Sequence, residues 1–377
     1  MKQYIILVSI LASVMLGVHS CSRPEGQSVI TGNFPSQVGN VVKITKVLPL
    51  ESIDIDSTII KGDGMFEFKV ISEKASIYTL SISDAPTLYL SLKPEEDMYI
   101  VSETSDLSKV MFKERKDLSD YSKISYDFYS TRVYLDSLLS IVRTDPNSSY
   151  LTSMLDNELD LHIERLKKES KQFIDEHSAS LMSSLALFQT LGKQKVFNLD
   201  SDSIYFSRVD SAFIRNYPTN INTKYLHKKL SFHNRNKLKR LAAQERMKIG
   251  KKIPVVSIPD MRKRPYKIGV EKDKKQLLYF WSSSDPLSRS MNKDIVSIYE
   301  KDNGELPELV TIAMDERRDL WSNAVVNDKL PGVHLSEMQG MKSIISGIYD
   351  IPSKLPYFIQ IDKDGTILFK GNHLPTE

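Results

Sequence analysis

The chain has 377 residues, of which 41% are hydrophobic and 26% charged, so it is long enough for more than one domain with its own hydrophobic core. Its 51 basic and 48 acidic side chains give a formal net charge of +3, which excludes a protein that binds nucleic acid through its overall charge. A single cysteine, Cys21, excludes an intrachain disulfide.

Residues 1–21 have the pattern of a secretory signal. Lys2 precedes an uncharged apolar run from Tyr4 to Val18, which small or polar residues separate from Cys21. This run is shorter than the roughly 20 residues that a membrane-spanning helix needs. A cleaved signal is therefore favoured, and a permanent spanning anchor stays open as the alternative.

The sequence around Cys21 indicates how the exported chain is held. The segment "VHSC" resembles a bacterial lipobox, a cleavage site whose cysteine becomes lipid-modified and then N-terminal. This resemblance implies lipidation of Cys21 and attachment to the membrane through the acyl chains. We expect an extracytoplasmic, membrane-anchored lipoprotein in the periplasm or outer membrane of a Gram-negative bacterium.

Residues 28–105 are predicted to form a small β-sandwich domain. Short runs rich in Ile, Val, Tyr and Phe are separated by Gly, Pro, Asn and Asp, which is typical of strands joined by turns. Asp63-Gly64 can supply the positive φ of a tight turn. Gly64, Phe66, Phe68 and the run "LKPEEDMYI" resemble the small β domain placed ahead of thioredoxin-like domains in bacterial lipoproteins. The residues of this segment suggest no catalytic site.

Residues 106–249 are predicted to be helical, because apolar residues recur three and four positions apart among charged ones. Pro218 is expected to follow the end of one of these helices. The spacing of His162 and His177 fits no metal motif, so each is interpreted as a solvated helix residue. We expect no metal and no cofactor in this protein.

Residues 224–252 of this helical region are strongly basic, because they hold eleven Lys or Arg side chains and a lone acid, Glu245. A nucleic-acid-binding arm has a similar composition, but only Tyr225 and Phe232 are available for stacking on bases. An exported protein also rarely meets nucleic acid, so we expect no such partner. A linker helix with a solvated basic face is favoured, and contact with lipid head groups or an acidic partner stays open.

Residues 250–377 are predicted to form an α/β domain. The apolar runs "QLLYFWS" and "ELVTIAMD" indicate buried strands, and the segment between Pro286 and Gly304 indicates a helix. The last run, "LPYFIQIDKDGTILFKGN", is predicted to be a hairpin that turns at Asp364-Gly365. Strands that alternate with helices predict a mixed sheet, and the whole chain is therefore predicted to be a multidomain α+β protein.

The same domain resembles the thioredoxin-like domains of bacterial extracytoplasmic thiol-disulfide oxidoreductases and their lipoprotein relatives. The resemblance is carried by "YFWSSS" and by "IYDIPSKLPYFIQIDKDGTIL". Laid residue by residue, the two redox cysteines of the family fall on Asp285 and Ser288, and the proline that members hold in the cis form falls on Pro356. The segment "GNHLPTE" stands where the family continues into a last helix, so a truncated domain with an uncovered apolar sheet face is expected.

The loss of both cysteines implies the loss of dithiol chemistry, and we expect no catalytic residue. Asp285 before Pro286 predicts a helix N-cap followed by a proline at the first helical position. An alternative makes Asp285 a general base and Ser288 a nucleophile, but no histidine lies near them in sequence to orient the pair.

The former active-site face is expected to survive as a binding surface. Trp281, Pro286, Leu355 and Pro356 are predicted to form a shallow apolar groove like the one on which family members hold extended chains. We therefore expect a redox-inactive, lipid-anchored thioredoxin-like protein whose partner is a peptide or protein bound in this groove. The alternatives are an auxiliary subunit of a thiol-disulfide oxidoreductase system in the cell envelope and a purely structural envelope lipoprotein.

Overall fold

The computed structural model describes residues 23–83, 85–104 and 106–375, which form two compact units that divide after Ser231. The predicted secretory signal and Cys21 lie outside the described residues. Within the described ranges, every helix is too short or too polar to cross a lipid bilayer.

The first unit begins with two four-stranded sheets. Their strands are β1 (Gln27–Asn33), β2 (Val41–Val47), β3 (Ser52–Ile59), β4 (Met65–Ile71), β5 (Ser76–Ile82), β6 (Leu88–Leu92), β7 (Met98–Val101) and β8 (Met111–Phe112). The strand orders are β4-β1-β7-β8 and β3-β2-β5-β6. Gly64, with a φ of 81°, closes the predicted turn before β4. Alternate residues of the strands, such as Phe66 and Phe68 of β4, point into a hydrophobic core to which both sheets contribute.

Five α-helices and one small hairpin follow the two sheets, and the last of these helices continues past Ser231 into the second unit. The helices are α1 (Lys116–Val142), α2 (Ser149–His177), α3 (Met182–Leu187), α4 (Ser203–Asn216) and α5 (Ile221–Arg246). The hairpin joins β9 (Thr190–Leu191) to β10 (Gln194–Lys195), and Gly192 takes a φ of 57° in its turn. The helical pattern of the sequence did not predict this hairpin, because each of its strands has only two residues.

The helices share most of their buried residues with the sheets, and α1 and α2 add a small cluster of their own with Leu191. Phe173 and Ile174 of α2 and Leu226 of α5 belong to the same buried cluster as Ile30 and Phe68 of the strands. The predicted domain 28–105 and the predicted helical region as far as Ser231 therefore share one core, and the second unit begins at Phe232, whereas residue 250 was predicted. The reason is that the apolar stripes of the helices are buried against the sheets, which periodicity alone cannot show.

The second unit is built around a five-stranded sheet. Its elements are β11 (Val256–Pro259), β12 (Pro265–Ile268), β13 (Gln276–Trp281), α6 (Pro286–Tyr299), β14 (Glu308–Ala313), α7 (Arg318–Asn327), β15 (Val333–Leu335), α8 (Ile344–Ile348), β16 (Tyr357–Ile361) and β17 (Ile367–Gly371). The sheet order is β15-β14-β13-β16-β17, and β11 pairs with β12 separately. The central strand β13 runs parallel to β14 and antiparallel to β16. This order is the mixed sheet that the alternation of strands and helices predicted, and it ends in the predicted hairpin.

Both faces of the central strand are covered, so all six residues of β13 are buried. Leu278 and Phe280 point into a cluster shared with β11, β12 and α8. Leu277, Tyr279 and Trp281 point the other way, into a cluster shared with α6 and α7. The continuous apolar run of β13 is thus the sequence of a strand buried on both faces.

Candidate binding groove beside helix α6

The junction between β13 and α6 is closed by hydrogen bonds around Asp285. Its Oδ2 accepts a hydrogen bond from the backbone N–H of Ser288 at 2.8 Å and another from the Ser288 hydroxyl at 2.6 Å. Asp285 is therefore the N-cap of α6, and Pro286 follows it in the first helical turn. The predicted helix start is confirmed.

Ser288 is enclosed rather than available for reaction. It is 0% exposed, and its hydroxyl oxygen also accepts a hydrogen bond from the backbone N–H of Ser282 at 3.3 Å. A nucleophile must reach its substrate. The Ser288 hydroxyl is buried and hydrogen-bonded to both Asp285 and Ser282, so it cannot reach one. The hypothesis that Asp285 activates Ser288 is therefore contradicted by the position of Ser288.

A second carboxylate, Asp315, fixes the serine-rich bend that precedes the helix. It lies two residues after the end of β14, and it accepts hydrogen bonds from the Ser282 hydroxyl at 2.8 Å and from the Ser283 hydroxyl at 2.9 Å. The backbone N–H of Ser283 also donates to both of its carboxylate oxygens, at 3.1 Å each. The sequence analysis missed Asp315. The signal that could have found it is a carboxylate two residues after the end of one of two neighbouring parallel strands.

A third polar cluster ties α6 to the end of α7. Asp328 accepts two hydrogen bonds from the Arg289 guanidinium, at 2.7 and 2.6 Å, and one from the Asn292 amide at 2.7 Å. The Asn292 carbonyl in turn lies 2.8 Å from the hydroxyl of the buried Tyr279. The side chains of Asn292 and Asp328 and the hydroxyl of Tyr279 therefore all have partners, and these hydrogen bonds hold α6 in one orientation over the sheet. Sequence reasoning missed this cluster as well, since Asp328 is 39 positions from Arg289 and 36 positions from Asn292 in the chain.

The electrostatics of this cluster follow from burial and from the ion pair. Burial acts to raise the pKa of Asp328, but the Arg289 and Asn292 hydrogen bonds and the Arg289 charge outweigh it and leave the pKa below its ordinary value. Burial raises the pKa of Tyr279, and the negative charges of Asp285 and Asp328 add to this effect. At neutral pH Asp328 is thus ionised and Tyr279 keeps its proton.

Trp281 does not line a groove, contrary to the prediction. It is 0% exposed, and its ring stacks on that of Tyr279 with the centroids 6.2 Å apart. As the last residue of a strand covered on both faces, Trp281 points under α6 and packs with Ile295 and Trp321. Its position in the sequence motif matched the family, but its side chain belongs to the core.

Leu355 and Pro356 lie where the resemblance places them. The Leu355-Pro356 peptide bond is cis, as predicted. The Asn372 amide donates hydrogen bonds to the carbonyl oxygens of Lys354 at 3.2 Å and Pro356 at 3.0 Å. Asn372, just after β17, therefore holds the loop before β16 in place.

An open groove runs between this loop and α6, with a volume of about 310 Å³. It is lined by Leu287, Ser290, Met291, Asp294, Lys354, Leu355, Pro356 and Asn372. Leu287 is 59% exposed, although it is a large apolar side chain. Pro286 is exposed at the start of the helix and does not line the groove. Of the four predicted groove residues, the structure thus brings Leu355 and Pro356 to this groove.

A cluster in the first unit has the composition of a metal site but is already paired with cations. The side-chain ligand atoms of Asp120, Glu176 and His177 all lie within 4.8 Å of one another. The Lys116 ammonium contacts both carboxylates, and the Lys123 ammonium lies 3.4 Å from Asp120. His177 Nε2 lies 3.0 Å from Asp120, so this histidine pairs with an acid rather than with solvent. We assign no metal to this cluster.

Comparisons with known proteins find likeness for the C-terminal third of the chain. No protein-family model matches the chain, and no curated protein matches it. Three solved structures each match 33% of this chain. The first is the C-terminal domain of a protein assigned as a thiol-disulfide oxidoreductase from Bacteroides thetaiotaomicron, and the second is a thiol-disulfide oxidoreductase from Bacteroides fragilis. The third is the thioredoxin domain of a thiol-disulfide oxidoreductase from Bacteroides vulgatus. Their sequence identities are 26, 23 and 20%, and their TM-scores are 0.31, 0.30 and 0.30. The matches span 87, 92 and 87% of those three chains.

Proposed function

We propose that this chain is an extracytoplasmic, lipid-anchored thioredoxin-like protein that binds an extended polypeptide segment in the groove beside α6 without thiol chemistry. The observation that carries the proposal is the groove itself. It combines the apolar side chains of Leu287, Met291 and Leu355 with Asp294 and Lys354 on its rim.

The chemistry of the groove suits a peptide better than a small polar metabolite. Its apolar side chains offer a place for one apolar side chain of a ligand, which is the usual anchor in peptide recognition. Asp294 and Lys354 are both exposed, so they can pair with charges or amide groups of the same ligand without burying an ion. The groove is open rather than enclosed, as a site that accepts part of a long chain must be.

The helix start beside the groove supports binding without exchange. In a dithiol enzyme, the free N–H groups of a helix N-terminus stabilise a thiolate. Here the Asp285 carboxylate already occupies that field, where it accepts two hydrogen bonds from Ser288. The single cysteine of the sequence, Cys21, is 264 positions from Asp285 in the numbering, in the proposed lipidation segment. Thiol-disulfide exchange needs an attacking thiolate, and the groove supplies none.

The groove can be tested with peptides of defined sequence. Peptides displayed on phage are selected on the chain from Ser22 to Glu377, which keeps every described residue, and their affinities are then measured with purified variants. Leu287→Asp and Leu355→Asp should each weaken binding by about tenfold or more, because they place a charge where an apolar side chain must be desolvated. Leu287→Asp adds an acid to the first turn of α6, which a helix tolerates.

The matched control for these variants is Val326→Asp. Val326 is an exposed apolar residue of α7 in the same unit, and it does not line the groove. This variant should bind the selected peptides as the parent chain does. Equal losses for Val326→Asp and Leu287→Asp, or a selection that yields no binding peptide, would contradict the proposal.

The lipid anchor makes a separate prediction. Replacing Cys21 by Ser should abolish incorporation of labelled fatty acid and should leave uncleaved precursor, because a lipobox is modified at its cysteine. The measurement is radiolabelling with palmitate in a Gram-negative host, with Ser20→Ala as the control, since a small residue suits that position equally. Label retained in the Cys21→Ser variant would show that the anchor is elsewhere.

A further inference from the structure

The second half of helix α5, residues 232–246 in the second unit, carries exposed apolar side chains that no packing explains. Phe232, Leu238 and Leu241 are exposed, and Leu238 is 66% accessible to solvent. Ala243, by contrast, is buried and marks the side of the helix that faces the protein. Single exposed apolar residues are ordinary, but Leu238 and Leu241 are three positions apart and therefore adjacent on one face.

The helix geometry places the two leucines on the outer side. Successive residues of an α-helix are rotated by about 100°, so Leu238 and Leu241 lie roughly 140 to 160° from Ala243 around the axis. On the same reckoning Arg235 and Lys237 flank the leucines, one on each side, at about 80 to 120° from Ala243. The outer face thus carries the two leucines with a cation on each flank, and Asn234 and Glu245 lie on the same face.

The charge on this segment is almost entirely uncompensated. Its basic residues are Arg235, Lys237, Lys239, Arg240 and Arg246. Among the residues that the structure describes, none of these five forms an ion pair. The single acid of the segment, Glu245, is already paired with Lys248 at 2.6 Å and Lys251 at 2.7 Å. A surface of complementary negative charge is therefore the natural occupant.

We propose that this face of α5 docks on the surface of a lipid bilayer that contains anionic lipid. Lysine and arginine near such a surface attract its phosphates, and the flanking aliphatic stems allow Leu238 and Leu241 to enter the acyl boundary. The exposed leucines favour a bilayer over a polynucleotide or an acidic protein, because only a bilayer offers an apolar layer directly beneath its anions. This docking site is independent of the groove beside α6.

Flotation with vesicles tests the docking site directly. The chain from Ser22 to Glu377 is mixed with vesicles of equal parts phosphatidylglycerol and phosphatidylcholine, or of phosphatidylcholine alone. We expect it to float with the former and not with the latter. Two variants separate the contribution of the charges from that of the leucines. The charge variant combines Arg235→Glu, Lys237→Glu, Lys239→Glu and Arg240→Glu. The leucine variant combines Leu238→Gln and Leu241→Gln. The fourfold charge variant should lower the partition coefficient by roughly tenfold or more, and the leucine variant should also lower it.

The control carries the same change in net charge elsewhere on the surface. Lys61→Glu, Lys113→Glu, Lys193→Glu and Lys195→Glu alter four exposed lysines of the first unit. This control should bind the anionic vesicles more tightly than the α5 charge variant does. Equal binding by the two fourfold variants would overturn the proposal. Tight binding to heparin with no effect of the leucine variant on vesicles would also overturn it, since that result describes a general polyanion site.

Discussion

The double variant Asp285→Cys, Ser288→Cys should form an intramolecular disulfide under mild oxidant. The two side chains already converge, because Asp285 Oδ2 and Ser288 Oγ are 2.6 Å apart. Residues three positions apart in the first turn of a helix also have α-carbons within the roughly 4.4 to 6.8 Å that a disulfide tolerates. The thiol at position 285 should have a lowered pKa, because it would replace a carboxylate at the N-terminus of α6.

The measurement is thiol labelling before and after oxidation, together with insulin reduction. The unaltered chain should reduce insulin no faster than the reaction without protein, and the double variant should show weak activity. The matched control is Asp285→Cys, Leu287→Cys, whose side chains two positions apart point to different sides of the helix and should not pair. The loss of the Asp285 cap should cost about 1 kcal/mol in both variants. Two thiols at 285 and 288 that stay reduced would show that the alignment with the family cysteines is wrong.

Asp328→Ala should be the most destabilising single change in the second unit outside its apolar core. It removes three hydrogen bonds and leaves the buried Asn292 amide without its partner. Arg289 also loses the carboxylate to which two of its nitrogens donate hydrogen bonds. Arg289 is partly exposed and can turn towards water, so the expected loss is about 2 to 3 kcal/mol rather than the larger cost of stranding a fully buried charge.

Tryptophan fluorescence isolates this effect. Trp281 and Trp321 are the two tryptophans of the sequence, and both are buried in the second unit, so a urea titration followed by their emission reports on that unit alone. Asp294→Ala, a change at an exposed acid of α6, should alter the midpoint little. A midpoint for Asp328→Ala equal to that of Asp294→Ala would show that the cluster does not stabilise the fold.

The effect of Asp328→Ala on the free energy of unfolding should also depend on pH. Because the pKa of Asp328 is lowered in the folded state, its ionised form stabilises the fold fully above the unfolded value of about 3.9. This stabilisation is lost as the pH falls through the lower folded value. The difference in stability between the parent chain and Asp328→Ala should therefore be constant from pH 7 to about 5 and should shrink in more acid solution.

The elements of the second unit were predictable because their signals are local. The continuous apolar run of β13, the Asp285-Pro286 helix start and the turn at Asp364-Gly365 each depend on neighbouring residues, and each is present in the structure. The groove was predictable only in part. Leu355 and Pro356 came from the motif, but Leu287, Met291 and Asn372 reach the groove from separate elements and carry no motif of their own.

Trp281 shows why the position of a residue in a sequence motif does not predict whether its side chain is exposed. Its place after Phe280 was read correctly, but whether a strand-end side chain faces solvent depends on how far the following helix covers it. Here Asp315 and Asp328 fix the bend and the helix over that position, because they accept hydrogen bonds from Ser283 and Arg289. Those carboxylates follow β14 and α7, so their role depends on tertiary contacts that spacing in the sequence does not reveal.

The central claim, that a polypeptide segment binds in the groove beside α6, is tested most directly by methionine methyl spectra. A peptide from the selection is titrated into the chain with isotope-labelled methionine methyl groups, and the Met291 signal is assigned from the spectrum of Met291→Leu. Met291 lines the groove, whereas Met341, in the same unit, does not. The Met291 signal should shift to saturation with the peptide while that of Met341 stays in place. A peptide that binds and leaves the Met291 signal unchanged would contradict the claim.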